Sequence, residues 1–158
     1  MSNMLTMKRH KHAVIYLTLS FLFSSCSGRS NEKLGQRLIA AVEQKLHNSQ
    51  QVLITIKDYT DFRWDRFHVF GPYTTPEEVH NSLGFSWPEY ERTAVRHNDH
   101  HDLLVFVSDS RVVEYVEYPR EHGDFYKLNN PAGYTAEGAV FEVKIEDRGI
   151  PIPVPEEK

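Results

Sequence analysis

Apolar positions recur along this chain with two different periods, and each period marks an element. Leu34, Leu38, Val42 and Leu46 are spaced every four residues, with Ile39 and Ala41 beside them. That stripe predicts a helix with one face on a core. Ser30 or Asn31 can cap its start, Glu32 falls in the first turn, and Gly35 weakens that end. From Gln51 the period changes to two: Val52, Ile54 and Ile56 stand against Leu53, Thr55 and Lys57, the pattern of a strand. A second strand is predicted in DFRWDRFHVFG, which is aromatic and β-branched and ends at Gly71-Pro72.

Thr75-Pro76-Glu77-Glu78 is the sharpest local signal. A hydroxyl at the cap, Pro at the first helical position and Glu at the third predict a short helix. Glu77 and Glu78 then serve the helix terminus rather than acid/base chemistry. Gly84 is a natural left-handed stop. FSWPEYER is irregular, with Pro88 restricting Trp87, and Glu89 to Val95 can add a helical turn. Leu103 to Val107 is apolar on both faces, like a central strand, while Val112 to Tyr118 alternates; Ser108-Asp109-Ser110 between them reads as a turn. An antiparallel hairpin is predicted there. Glu121 to Gly138 is a loop rich in Gly, Asn and Pro. AVFEVKIED places Phe141, Val143 and Ile145 inward, and Glu142, Lys144 and Glu146 outward. Pro151, Pro153 and Pro155 then alternate, which predicts an extended tail over 149–158 without a sheet ladder. The fold class is therefore α+β: an antiparallel sheet of about four or five strands, with an N-terminal helix and a short capped helix packed on it. A single domain over 34–148 accounts for these elements.

The first residues carry an address. Lys8, Arg9 and Lys11 form a basic block, Ala13 to Phe23 is eleven residues without a charge, and Ser24, Ser25 and Cys26 follow. A basic start, a short apolar run and small residues before a cut describe an export signal over 1–25. The run is too short to span a bilayer of about 30 Å as a helix. Met7-Lys8-Arg9 is itself a natural start, as an alternative to Met1. Ser24-Ser25-Cys26 resembles the bacterial lipobox, with Phe23 at the usual Leu position and Leu22 one place early. The resemblance implies a diacylglyceryl group on Cys26 and a polar tether over 26–33. Ser27, where an Asp would favour the inner membrane, implies an outer-membrane address facing the periplasm.

Composition narrows the function classes. The 158 residues carry one Cys and a formal charge of −4. One Cys excludes an internal disulfide framework and a Cys-rich zinc site. Loss of residues 1–25 leaves 15 bases against 22 acids, near −7. An acidic domain is a poor partner for a phosphate backbone, so no nucleic acid is expected. Any membrane tie must be covalent or apolar.

Candidate chemistry is sparse. His97, Asp99, His100, His101 and Asp102 are all possible metal ligands, and His97 and His101 would share a face of a helix. Asn98-Asp99, however, is a turn signal directly before a strand, and the competing reading is a solvated loop. Asp61, Asp65 and Asp124 stand beside aromatics, as a general acid or as turn caps. There is no Gly-x-Ser-x-Gly elbow and no phosphate-cradling glycine loop, and no cofactor is implied. Phe62, Trp64, Phe67, Phe70, Tyr73, Phe85, Trp87 and Tyr90 crowd one third of the chain. Most belong to the core. Trp87 and Tyr90, in the irregular segment, are the candidates for an exposed protein-binding patch, the competing reading being that they cover the end of the sheet, with Glu114, Glu117 and Glu121 as acids that could meet a basic partner.

FGPYTTPEEVHNSLGF resembles the turn–helix–Leu-Gly segment of small outer-membrane assembly lipoproteins, which share an α+β sandwich with β-lactamase-inhibitor proteins. Pro72-Tyr73-Thr74, Glu78-Val79 and Leu83-Gly84 occupy the corresponding places. The Gly-Met that precedes the Thr in that family is missing, and two predicted strands come before the helix. The resemblance implies a binding role on a sheet-plus-helix scaffold. Two functions follow as expectations. The first is an envelope-anchored, non-enzymatic protein-binding module, an assembly factor or an inhibitor/immunity-type protein. The second is a metal-dependent or metal-binding envelope protein built on His97 to Asp102.

Overall fold

A computed structural model describes residues 30–49, 51–145 and 151–155. The export signal and Cys26, which carry the expected anchor, lie outside the described residues.

Helix α1 spans Glu32–His47. Asn31 caps it, its side-chain oxygen accepting from Leu34 N–H at 3.0 Å. Leu34, Leu38, Ile39, Ala41 and Val42 are buried, as the stripe predicts. The end of the expected tether is docked rather than free. Asn31 N–H donates to Tyr115 O at 2.8 Å, Asn31 Nδ2 to Glu114 at 2.9 Å, and Glu117 N–H to Ser30 Oγ at 2.9 Å.

The strands, all antiparallel, divide between two sheets. β1 (Gln51–Thr55) pairs with β6 (Val140–Ile145), and β6 with β7 (Pro151–Pro155). The second sheet has the order β4-β3-β2-β5, from β2 (Arg66–Phe70), β3 (His101–Ser108), β4 (Arg111–Pro119) and β5 (Tyr134–Thr135). The α+β class, the N-terminal helix and the capped helix stand as expected, with the sheet split in two.

β7 corrects the expectation of an unpaired tail. Prolines at every second position all place their missing N–H on one side of the strand. Ile152 and Val154 keep their N–H groups on the other side, toward β6, with Val154 opposite Glu142 and Ile152 opposite Lys144. The prolines face the open edge, which they block against further pairing.

The second sheet is buried on both faces. On one face Phe67, Val69, Leu104, Phe106, Val116 and Tyr118 meet α1 and Ile54, Phe141 and Val143 of the first sheet. On the other, Phe70, Leu103, Val105, Val107 and Tyr115 meet Val79, Trp87, Tyr90 and Val95. Phe106 anchors the first face, with rings of Phe62, Trp64 and Phe67 at 5.2–5.5 Å. Burying each such ring contributes roughly 1.5–3 kcal/mol.

The β3–β4 hairpin closes through Asp109 and Ser110, at φ 50 and 58. A two-residue hairpin loop needs this left-handed backbone, usually supplied by Asn-Gly or Asp-Gly. Asp65 holds the turn, its Oδ2 accepting from Ser108 Oγ at 3.0 Å and from Asp109 N–H at 3.1 Å. Ser110 retains a Cβ in a conformation that costs an L-residue about 1 kcal/mol. Ser110→Gly should therefore raise unfolding stability by up to about 1 kcal/mol in urea titration. A loss of stability would show that the Ser side chain itself supports the turn.

Candidate functional site

Beyond Phe70 the chain turns, and the turn builds one wall of a groove. A Cβ at Gly71 would lie 2.1 Å from Tyr126 Cδ2, so any larger residue there would have to displace that ring. Tyr73 follows at φ 60, a left-handed conformation that is unusual for an aromatic residue. Its N–H donates to Val95 O at 2.7 Å. Thr74 Oγ1 donates to Gly71 O at 2.8 Å, and Thr74 O accepts from the buried Tyr90 hydroxyl. The backbone is thus fixed from behind while the Tyr73 side chain stays 63% exposed.

Helix α2 (Pro76–Leu83) forms the second wall. The expected capping box is present: Glu78 N–H donates to Thr75 Oγ1 at 3.2 Å, and Thr75 N–H to Glu78 Oε2 at 2.7 Å. These bonds hold the Glu78 carboxyl below its ordinary value, so it remains an anion. Gly84, at φ 78, ends the helix. The third wall is the turn Phe125–Leu128. Two carboxylates hold it: Asp102 Oδ2 accepts from Phe125 N–H at 2.7 Å, and Asp124 Oδ1 from Tyr126 N–H at 3.1 Å. Tyr126 lies across Gly71 and remains 49% exposed. The groove between these walls has a volume of about 460 Å³, with Phe70, Tyr73, Glu78, Asn81, Ser82 and Tyr126 among its lining. Glu78 is held in its cap, and among the described residues no histidine lines the groove.

The structure moves the binding patch. Trp87 and Tyr90 are buried, 5% and 0% exposed, correcting the expectation that they form a docking surface. Trp87 packs edge-on to Tyr115 at 5.3 Å, and the two residues seal the outer face of the second sheet. Glu114 and Glu117 are half-buried; Glu114 accepts from Asn31, and Glu117 accepts from Ala94 N–H at 2.6 Å. Glu121 is exposed, beside His122 at 3.6 Å.

The histidine cluster does not converge. β3 begins at His101, so alternation sends His101 and Asp102 to opposite faces. His97 ends a 3₁₀ turn and is exposed. His100 sits 3.6 Å from Asp99, and His101 Nδ1 3.3 Å from Asn98 Oδ1. Among the described residues, no group of three His, Cys, Asp or Glu is placed to hold a metal ion. Asp61, Asp65 and Asp124 take the turn-cap or surface-pair role: Asp61 pairs with Arg37 at 3.3 Å, and Asp124 with Arg120 at 2.6 Å.

Sequence reasoning grouped Tyr73 with the core aromatics and did not single out Tyr126. The available signal was an aromatic inside a loop of Gly, Asn and Pro, away from any alternating run.

Compared with protein families, with curated proteins and with solved structures, the chain matches none. Among the described residues, no helix is long and apolar enough to cross a membrane.

Buried Asp102 and His68 are shifted from their ordinary values in opposite senses. Asp102 is fully buried, and its Oδ1 makes no hydrogen bond; Arg120 Nε lies 3.7 Å away. Burial first, then the Asp124 charge, push its carboxyl up to about 7, against the pull of the Phe125 N–H and Arg120. His68 stacks on Phe70 at 6.0 Å, with Gly133 against its ring and Nδ1 unpartnered. Burial, helped by Arg66, pulls its imidazole down to about 4. The raised Asp102 contributes stability that is present below the ordinary carboxylate value and lost as pH rises to about 7. The lowered His68 contributes stability that is present above the ordinary imidazole value and lost as pH falls to about 4. The two slopes oppose each other in mildly acid solution. Relative to wild type, Asp102→Asn should lose stability on acidification from about pH 7 to pH 4.5, and His68→Gln should gain it. Urea titrations at several pH values would show both; parallel pH curves for both variants and wild type would refute the assignment.

Proposed function

We propose that this chain is an envelope-anchored lipoprotein whose domain binds another protein through the Tyr73–Tyr126 groove. The observation that carries this reading is a pair of exposed tyrosines whose backbones are fixed by buried neighbours. Tyrosine offers a large amphipathic contact surface at low entropic cost, and Asn and Ser beside it supply adaptable hydrogen bonds. A backbone that is already fixed need not be ordered on binding, so more of the contact energy reaches affinity. The acidic balance supports a protein ligand over a nucleic acid.

The anchor rests on Ser24-Ser25-Cys26 and the apolar run before it. Lipid on Cys26 would hold the domain at the outer membrane, facing the periplasm, as an assembly factor or an inhibitor/immunity-type protein does. A short span of chain separates Cys26 from α1, so the domain would work close to the membrane surface.

A photo-reactive phenylalanine analogue in place of Tyr126 tests this in living cells. A control carries the analogue at Ser110, in the hairpin turn at the opposite end of the second sheet. One discrete cross-linked protein at Tyr126, with none at Ser110, together with a diacylglyceryl mass on Cys26, is the expected result. Equal labelling at both positions would remove the groove as a recognition site; an unlipidated mature terminus would remove the anchor.

A further inference from the structure

We propose that the ligand of this groove is a proline-rich segment in polyproline II conformation that carries a basic residue. This rests on the reading of the groove as a protein-binding site. The first argument is backbone hydrogen bonding. The groove is built from a turn, one face of α2 and a loop. β5 pairs with only Arg66 and Phe67 of β2, and beyond them the turn Phe125–Leu128 packs against β2 with Tyr126 across Gly71, so an added β-strand would find that edge covered. A helix docks by laying an apolar face in a hydrophobic groove, whereas half of this lining is polar, with Thr74, Glu78, Asn81, Ser82 and Asn129. Polyproline II needs neither a ladder nor internal hydrogen bonds, and it is ordered before it binds.

The second argument is the chemistry of the walls. Tyr73 and Tyr126 present rings, and Pro72 and Pro131 present flat pyrrolidine faces. Such surfaces take up proline rings of a three-residue repeat, whose carbonyls point outward and need donors. Asn81 and Asn129 on opposite walls offer side-chain amides, and among the described residues neither amide is engaged in a hydrogen bond.

The third argument is charge. Among the described residues, Glu78 is the one charged side chain in the lining. It is exposed, and its carboxyl is held ionised by Thr75. Among the described residues, no Lys or Arg lines the groove to neutralise it. A single Arg or Lys flanking the prolines complements it, which also sets the direction in which the segment lies.

The test uses the full chain in detergent and a fluorescent peptide of roughly ten residues with Pro at every third position and a terminal Arg. Anisotropy should show saturable binding with Kd on the order of 10–100 μM. Tyr126→Ala should weaken it by at least about tenfold. Asn81→Ala, on an exposed helix face where Ala is well tolerated, should weaken it about threefold. Glu78→Gln, which retains the capping-box geometry, should abolish the preference for the Arg peptide over its Glu counterpart. Thermal melting of each variant confirms folding. Absence of saturable binding to wild type, or binding unchanged in Tyr126→Ala, overturns the proposal. If a partner cross-links at Tyr126 through a segment without prolines, this inference fails while the binding function stands. If nothing cross-links there, the binding function itself fails.

Discussion

A strand that is apolar at every position needs cover on both faces. Leu103 to Val107 is such a strand, and the rest of the molecule is arranged around it. Leu104 and Phe106 go to one face, and Leu103, Val105 and Val107 to the other. α1 and the first sheet cover the first face. α2 and the two 3₁₀ turns at 88–96 cover the second. Neither cover is large, and apolar burial of a few Å-wide rings on each side supplies most of the drive. The β2–β3–β4 slab is therefore the layer on which both covers rest.

That double cover explains where polar groups are tolerated and where the groove forms. Asp102 and His68 lie inside the covers, and each is driven toward its neutral form, as buried ionisable groups are. Asp102 also performs a structural task, because the N–H it accepts belongs to the turn that carries Tyr126. The groove runs along the seam between the outer cover and the 125–131 loop. Tyr73 and Tyr126 project from backbone that is held by Val95 O, through the Tyr73 N–H, and by Asp102 and Asp124, through the Phe125 and Tyr126 N–H groups.

Local signals were legible in the sequence wherever a short-range rule sufficed. The Thr75 capping box, the Gly84 stop, the α1 stripe and the 101–119 hairpin all depend on neighbours within a few residues. What escaped depends on distant partners. Trp87 and Tyr90 look exposed in an irregular stretch, and only Tyr115, a residue of β4, shows that they are covered. Tyr73 looks like core until Gly71 is seen to be occupied by Tyr126. Counting missing donors along the tail suggested that it could not pair, yet alternation puts all the gaps on one edge. Asp102 read as the last member of a histidine cluster, and the parity of one strand turned it inward.

The claim that matters most is that the groove is preformed, its tyrosines held by the covers of the slab. Native-state hydrogen exchange reads this directly, residue by residue. The amides of Leu103 to Val107 should be among the slowest, opening only with global unfolding, and the Tyr73 amide, bonded to Val95 O, should be protected despite its exposed side chain. A Tyr73 amide exchanging like an open turn, while β3 stays protected, would mean that the groove is not built in advance and would contradict the account.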